Sequence, residues 1–269
     1  MRKYILHGPY LPKHEENLMG SEGSVALARQ TFIEKRFRNL DFLLRFRYEW
    51  MNKYLVSNSV IIELGAGAGF SPIYLTQKPI ITDAANNPWV EKYVDATNMD
   101  IEGNSVDVII ASHNIHHFYS PYKFFKECER VLKDDGLLLI QEINTSLIMR
   151  VLLRLMRHEG WSYDVDVFDE NEVVNNKSDL WSANCAVPEL LFNNTSRFES
   201  TFSSMKIELN EPCECIIFPA SGGVISKTRV PELPAFVLNA ILVFDRVLVK
   251  ISPSLFALGR RVVIRKRKA

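Results

Sequence analysis

Between residues 59 and 143 the chain alternates short apolar runs with amphipathic stretches. Residues 59–64, 79–82, 106–111 and 137–143 are rich in Ile, Val and Leu, apolar at successive rather than alternate positions. Such runs predict strands buried on both faces. Residues 121–132 place apolar side chains three and four apart and stop at Asp134-Asp135-Gly136, which predicts an amphipathic helix. Residues 71–77 read as a short helix with Pro72 in its first turn. Residues 84–94 are too polar and proline-broken for a full helix. Strands alternating with helices predict an α/β fold built on a parallel sheet covered on both sides.

The flanks are patterned differently. Residues 1–30 read as loop, with a turn-rich patch at 20–24. Residues 31–56 read as helical, with Phe37, Leu40, Leu43, Leu44, Tyr48 and Met51 near helical spacing. Beyond Asn144, residues 147–158 predict a helix with Arg150, Arg154 and Arg157 on one stripe. Residues 160–194 are loop-rich and carry Trp161, Tyr163 and Trp181 among acids. Residues 198–218 read as strand, 234–251 as a mostly apolar helix interrupted by Asp245, Arg246 and Lys250, and 258–267 as a terminal strand. Four segments result: a loop and helical cap (1–57), a ligand-binding core (58–145), an insertion or lid that chooses the acceptor (146–196), and strands and a helix that complete the sheet (197–269).

Composition narrows the function classes. The 269 residues hold 32 Lys+Arg and 32 Asp+Glu, a formal net charge of zero, which gives no support to a nucleic-acid partner. Six cations nevertheless crowd into residues 260–268. Cys128, Cys185, Cys213 and Cys215 show no paired zinc spacing and read as buried thiols of a reducing compartment. The first 17 residues lack the apolar core of a secretory signal, and no run of 18 apolar residues exists. A cytoplasmic location is the default. The basic stripe of 147–157 leaves open a peripheral contact with the inner membrane face. The oligomeric state is not legible.

The chemistry concentrates where the first strand ends, at Glu63-Leu-Gly-Ala-Gly-Ala-Gly69. Glycines there permit a tight turn and close approach of a ligand to the backbone. A dinucleotide loop would carry a third glycine at the position held by Phe70, so a pyrophosphate ligand fits poorly. An acid at the strand end suits a ligand with a cationic amino-acid portion. Asp83 ends the next strand 20 residues after Glu63, the spacing of an acid that accepts from ribose hydroxyls.

Residues 60–143 resemble the class I S-adenosylmethionine-dependent methyltransferases, in particular the broad ubiquinone and menaquinone methyltransferase group. The resemblance rests on Glu63–Gly69, Asp83, Asp95-Ala-Thr97 with Ser105-Val-Asp-Val-Ile-Ile110, Ser112-His-Asn-Ile-His-His-Phe118, and Arg130-Val-Leu-Lys-Asp-Asp-Gly-Leu-Leu-Leu-Ile140, in that order. It implies a Rossmann-like, mostly parallel seven-stranded sheet with helices on both faces, an N-terminal helical segment and an insertion after the fifth strand. It implies S-adenosylmethionine as cofactor. Glu63, Gly65, Ala66, Gly67 and Gly69 would lie at its methionine part, Asp83 at the ribose, Asp95 and Ala96 at the adenine, and Ser112 and His113 near the sulfonium.

His113, His116 and His117 are the candidate catalytic residues, one of them a general base. The two adjacent histidines could simply start the following helix. No metal ligand is expected, because adjacent residues diverge around a helix. Trp161, Tyr163 and Trp181 are the candidate acceptor-binding residues, aromatic faces suited to a glycan or other small hydroxylated molecule; they could equally anchor a lid. The expected reaction is in-line methyl transfer to a hydroxyl. N- or C-methylation, and a non-catalytic cofactor-binding scaffold, stand as alternatives.

Overall fold

The computed structural model describes residues 8–12, 24–157, 159–179, 181–225 and 228–268. The chain opens with α1 (Val25–Lys35) and α2 (Arg38–Tyr48), followed by a 3-10 turn at Glu49–Tyr54. The core then runs through β1 (Ile61–Leu64), β2 (Ile80–Asp83), β3 (Lys92–Tyr93), β4 (Val106–Ser112), α3 (Pro121–Val131) and β5 (Leu132–Ile143). After α4 (Leu147–Met156) come α5 (Val187–Phe192), α6 (Thr195–Thr201), β6 (Met205–Cys213), α7 (Ile217–Ala220), α8 (Ala235–Ile251), α9 (Pro253–Phe256) and β7 (Gly259–Lys266).

One seven-stranded sheet has the order β3-β2-β1-β4-β5-β7-β6. The first five strands are parallel, and β7 inserts antiparallel between β5 and β6. Loops leaving the C-terminal ends of β1, β2, β4 and β5 therefore gather on one edge, where ligands of open α/β sheets bind. Every residue of β1 is buried, and β4 and β5 carry long buried runs, as their unbroken apolar sequences require.

Local chemistry explains the element boundaries. Ser120 caps α3, its hydroxyl accepting from the Lys123 amide, with Pro121 at the first helical position. One side of α3, Phe124, Phe125, Cys128 and Val131, is fully buried. Phe125 lies 4.9 Å from Phe198 and 5.1 Å from Phe202 between ring centroids. That Phe198–Phe202 pair, one helical turn apart, is why residues 195–201 form α6 where an unbroken strand over 198–218 was expected. The strand proper begins at Met205, and 217–220 turn helical again.

Other expectations shift similarly. Ser24 caps α1, so a helix starts inside the segment read as loop. Arg36 in the left-handed region then ends it, dividing the helix expected over 31–56. Residues 71–77 form only the 3-10 turn Ser71–Ile73. The two-residue β3, exposed on both faces, carries no apolar signal and went unread. Residues 84–91 form no helix.

Arg150 and Arg154 of the α4 stripe turn toward aromatic rings, while Arg157 is exposed. Arg154 lies 4.6 Å from the Tyr10 ring and 5.3 Å from that of Trp161, and Arg150 lies 5.9 Å from the Tyr163 ring. Among the described residues no helix is long and apolar enough to cross a membrane.

Candidate active site

The turn after β1 is shaped by its glycines. A Cβ on Gly65 would stand 2.8 Å from Asn114 Nδ2, and the φ of 55° already disfavours a side chain. Gly67, with φ 52°, meets nothing within 4 Å where a Cβ would stand, so its bare face opens outward. The loop is held from behind. Asp83 Oδ2 accepts from the Gly67 amide at 2.7 Å, Trp89 Nε1 donates to the Gly67 carbonyl at 2.8 Å, and Arg29 donates to the carbonyls of Ala68 and Gly69. Asn114 Nδ2 donates to the Leu64 carbonyl.

A pocket opens above this loop. Gly65, Ala66, Gly67, Ser112, His113, His116, His117 and Trp181 all line it, together with Glu159. The remaining wall is mainly apolar: Leu44, Ile143, Met149, Leu153, Phe218 and Leu258 among others. Eight sequence-predicted residues thus converge, and seven stand off the wall.

Glu63 is one of those seven. It is 1% exposed, and its oxygens accept from Ser71 and, at 3.3 Å, from the Tyr48 hydroxyl. Burial pushes its carboxyl up to about 7, against the lowering effect of those two hydroxyls. Gly69 packs against Trp89. Asp83 closes β2, and Asp95 follows β3 with Oδ1 accepting from the Thr97 amide and hydroxyl. Ala96 is buried. Trp161 is fully buried against Met149 and Leu153, its Nε1 donating to the Gly8 carbonyl at 3.1 Å, and Tyr163 donates to Glu189. Both support the wall instead of facing the pocket.

The three histidines differ in state. His113 has φ 52°, its amide donating to the Gln141 carbonyl at 2.7 Å. Its Nε2 is shielded and has no hydrogen-bond partner. Burial, reinforced by Arg47, holds it well below the ordinary imidazole value, so it stays neutral. His116 Nδ1 meets Glu142 Oε2 at 2.7 Å. Burial alone would lower His116, but Glu142 and Glu159 prevail and raise it to about 10. Glu142 is itself fixed by the amides of Ile115 and Ile143. His117 Nδ1 lies 3.2 Å from the Ser182 carbonyl, and burial with the neighbouring His116 lowers it to about 4.

His116 and His117 do not diverge. They sit on the 3-10 turn Ile115–His117 with ring centroids 4.3 Å apart, and Glu159 enters from beyond α4 to stand 3.6 Å from one Nε2 and 3.7 Å from the other. The expectation that adjacent histidines cannot face one ligand assumed a continuous helix, which this turn is not.

Glu159, and the buried network that fixes Arg47, escaped sequence reading. Glu159 lay in a loop-rich stretch. Arg47 lines the pocket while its guanidinium grips Glu214 at 2.9 and 2.6 Å, and Gln141 joins Glu214 to Trp50. Only the unusual density of polar residues at the ends of apolar strands (Gln141, Glu142, Asn144) signalled this network.

Residues 62–140 match the family profile described as a methyltransferase domain. No curated protein sequence matches the chain. Among solved structures it is similar to an S-adenosylmethionine-dependent methyltransferase from Archaeoglobus fulgidus, 17% identical, TM-score 0.52, over 88% of this chain and 99% of that one. A geranyl diphosphate C-methyltransferase from Streptomyces coelicolor is 9% identical, TM-score 0.45, over 86% and 80%. A phosphoethanolamine N-methyltransferase from Haemonchus contortus is 14% identical, TM-score 0.40, over 86% and 52%.

Proposed function

We propose that the chain, whose residues 62–140 match a methyltransferase domain, is a class I S-adenosylmethionine-dependent methyltransferase that methylates a hydroxyl on a small molecule with an apolar body. The observation that carries the acceptor reading is His113: an imidazole on the pocket wall whose shielded Nε2 has no hydrogen-bond partner.

The residues present fit the cofactor. The bare outward face at Gly67 leaves room for a ligand against the backbone. Asp83 and Asp95 follow along the same sheet edge, where the family resemblance puts the ribose and the adenine. When bound, S-adenosylmethionine supplies a methyl group activated on a cationic sulfur. The chain aligns the acceptor with that methyl group, and alignment supplies much of the rate. The proton that the hydroxyl loses as its oxygen takes the methyl passes to His113 Nε2.

The wall composition narrows the acceptor class. Of the three aromatic candidates only Trp181 lines the pocket, and Asp166 of the acid-rich stretch pairs outside it with Arg197. An aliphatic lining of Met149, Leu153 and Leu258 favours a molecule with an apolar body over a glycan.

Calorimetry with S-adenosylmethionine and its demethylated product, coupled to a labelled-methyl assay on hydroxylated, amine and carbon acceptors, tests the reading. Micromolar binding with transfer to hydroxylated apolar acceptors is expected. Transfer confined to amines or carbons would overturn the hydroxyl assignment, and binding without any transfer would leave a scaffold.

A further inference from the structure

We propose that His116, His117 and Glu159 form a binding site for a divalent first-row transition ion of the zinc class on the pocket wall. The metal site itself stands on geometry alone; the role given to it below rests on the methyltransferase reading.

The three donor atoms lie within 4.8 Å of one another. The Nε2-to-carboxylate separations of 3.6 and 3.7 Å exceed a hydrogen bond. They approach the spacing of about 3.4 Å between donors that share a tetrahedral ion at about 2.1 Å each. The two separations run to different oxygens of the one carboxylate, Oε2 for His116 and Oε1 for His117.

The ring orientations are set from behind. The Ser182 carbonyl can only accept, so His117 carries its proton on Nδ1 and presents a lone pair at Nε2. Glu142 accepts from His116 Nδ1 in the same way, an arrangement that turns Nε2 toward Glu159. A carboxylate or carbonyl behind each ring is the outer shell that metal-binding histidines use. The support is rigid: the Asn184 amide and Asn175 Nδ2 both donate to the His116 carbonyl at 2.8 Å.

The donor set selects the metal. Two imidazoles and one carboxylate suit zinc, iron(II) or cobalt(II), whereas magnesium and calcium take oxygen sets. Cys185 Sγ, 3.3 Å from Glu159 Oε2, places a soft donor alongside. Three protein ligands leave a position toward the pocket. There the ion would hold the acceptor oxygen and make its hydroxyl more acidic, with His113 receiving the proton.

The test uses the full chain, stripped with chelator, without cofactor or acceptor. Zinc chloride is titrated by calorimetry, cobalt(II) chloride by visible absorption, and magnesium chloride serves as the contrast. One equivalent of zinc is expected, with tetrahedral cobalt bands and no comparable magnesium uptake. His117→Ala and Glu159→Gln, each checked for folding by circular dichroism, should each weaken zinc binding at least tenfold. Absence of stoichiometric zinc uptake by the native protein, or uptake unchanged in both variants, overturns the site. Because no methyl transfer enters the readout, methylation without zinc uptake defeats only this proposal, and zinc uptake without methylation defeats only the functional reading.

Discussion

At the residue scale the site separates roles that look alike in sequence. His113, His116 and His117 share a motif, yet among them only His113 has a fully shielded ring nitrogen with no hydrogen-bond partner. His113→Gln should reduce kcat on a hydroxyl acceptor by roughly 10²–10⁴, the range of a lost general base. Its S-adenosylmethionine affinity should stay within about threefold by calorimetry. Glu63 gives a pH prediction. Its carboxyl titrates near 7 when folded, above its ordinary value of 4.5, so the folded state binds this proton more tightly than the unfolded one. Stability from this group is complete below about 4.5 and declines as pH rises through 7. Glu63→Gln mimics the protonated form, so its Tm relative to the native protein should be higher at pH 8 than at pH 5. An equal difference at both pH values would show that Glu63 folds ionised. The glycine turn after β1 and Asp83 at the end of β2 were legible because pattern and spacing mark them. That Glu63 faces Tyr48 and Ser71 was not, since both partners arrive from separate elements.

At the element scale the insertion after β5 is stitched to the histidine turn. Asn175 Nδ2 donates to the carbonyls of His116 and Phe118, and the Val174 amide donates to the Tyr119 carbonyl. Replacing Asn175 with Ala leaves two largely buried carbonyls short of a donor, a loss of about 1–3 kcal/mol readable as a lower urea midpoint. The turn would also loosen, so KM for the acceptor should rise more than that for S-adenosylmethionine. Elements with strong period were the legible ones: β1, β4 and α3 fall where the hydrophobic pattern puts them, while β5 starts five residues early, at Leu132, and runs through the expected stop at 134–136. Residues 195–213 misled because Phe198 and Phe202 pack at helical spacing against α3 inside a stretch with strand-like composition. The basic stripe of α4 misled for another reason. Sequence shows a charged face but not the aromatic rings that cover it.

At the scale of the whole molecule, the pocket wall and the far half of the sheet are joined by one buried ion pair. Arg47 on α2 is 4% exposed and Glu214, just after β6, is 2% exposed. Glu214→Ala strands the guanidinium and should cost about 3–5 kcal/mol in urea denaturation. The double replacement Arg47→Met with Glu214→Leu should cost distinctly less, because no charge is left uncompensated. If the single and double variants lose equal stability, packing rather than charge dominates there. The fold class was legible from alternating strands and helices. The junction was not, because Arg47 and Glu214 stand 167 positions apart.

The strand order also carries a consequence for how the molecule comes into being. β7 lies between β5 and β6, paired to both, although it follows them in the chain. During synthesis β5 therefore leaves the ribosome with its outer edge bare. That edge stays open while more than a hundred further residues are made, a long interval for an apolar strand prone to wrong pairing. Any nascent chain halted before Gly259 should depend on chaperones to stay unaggregated.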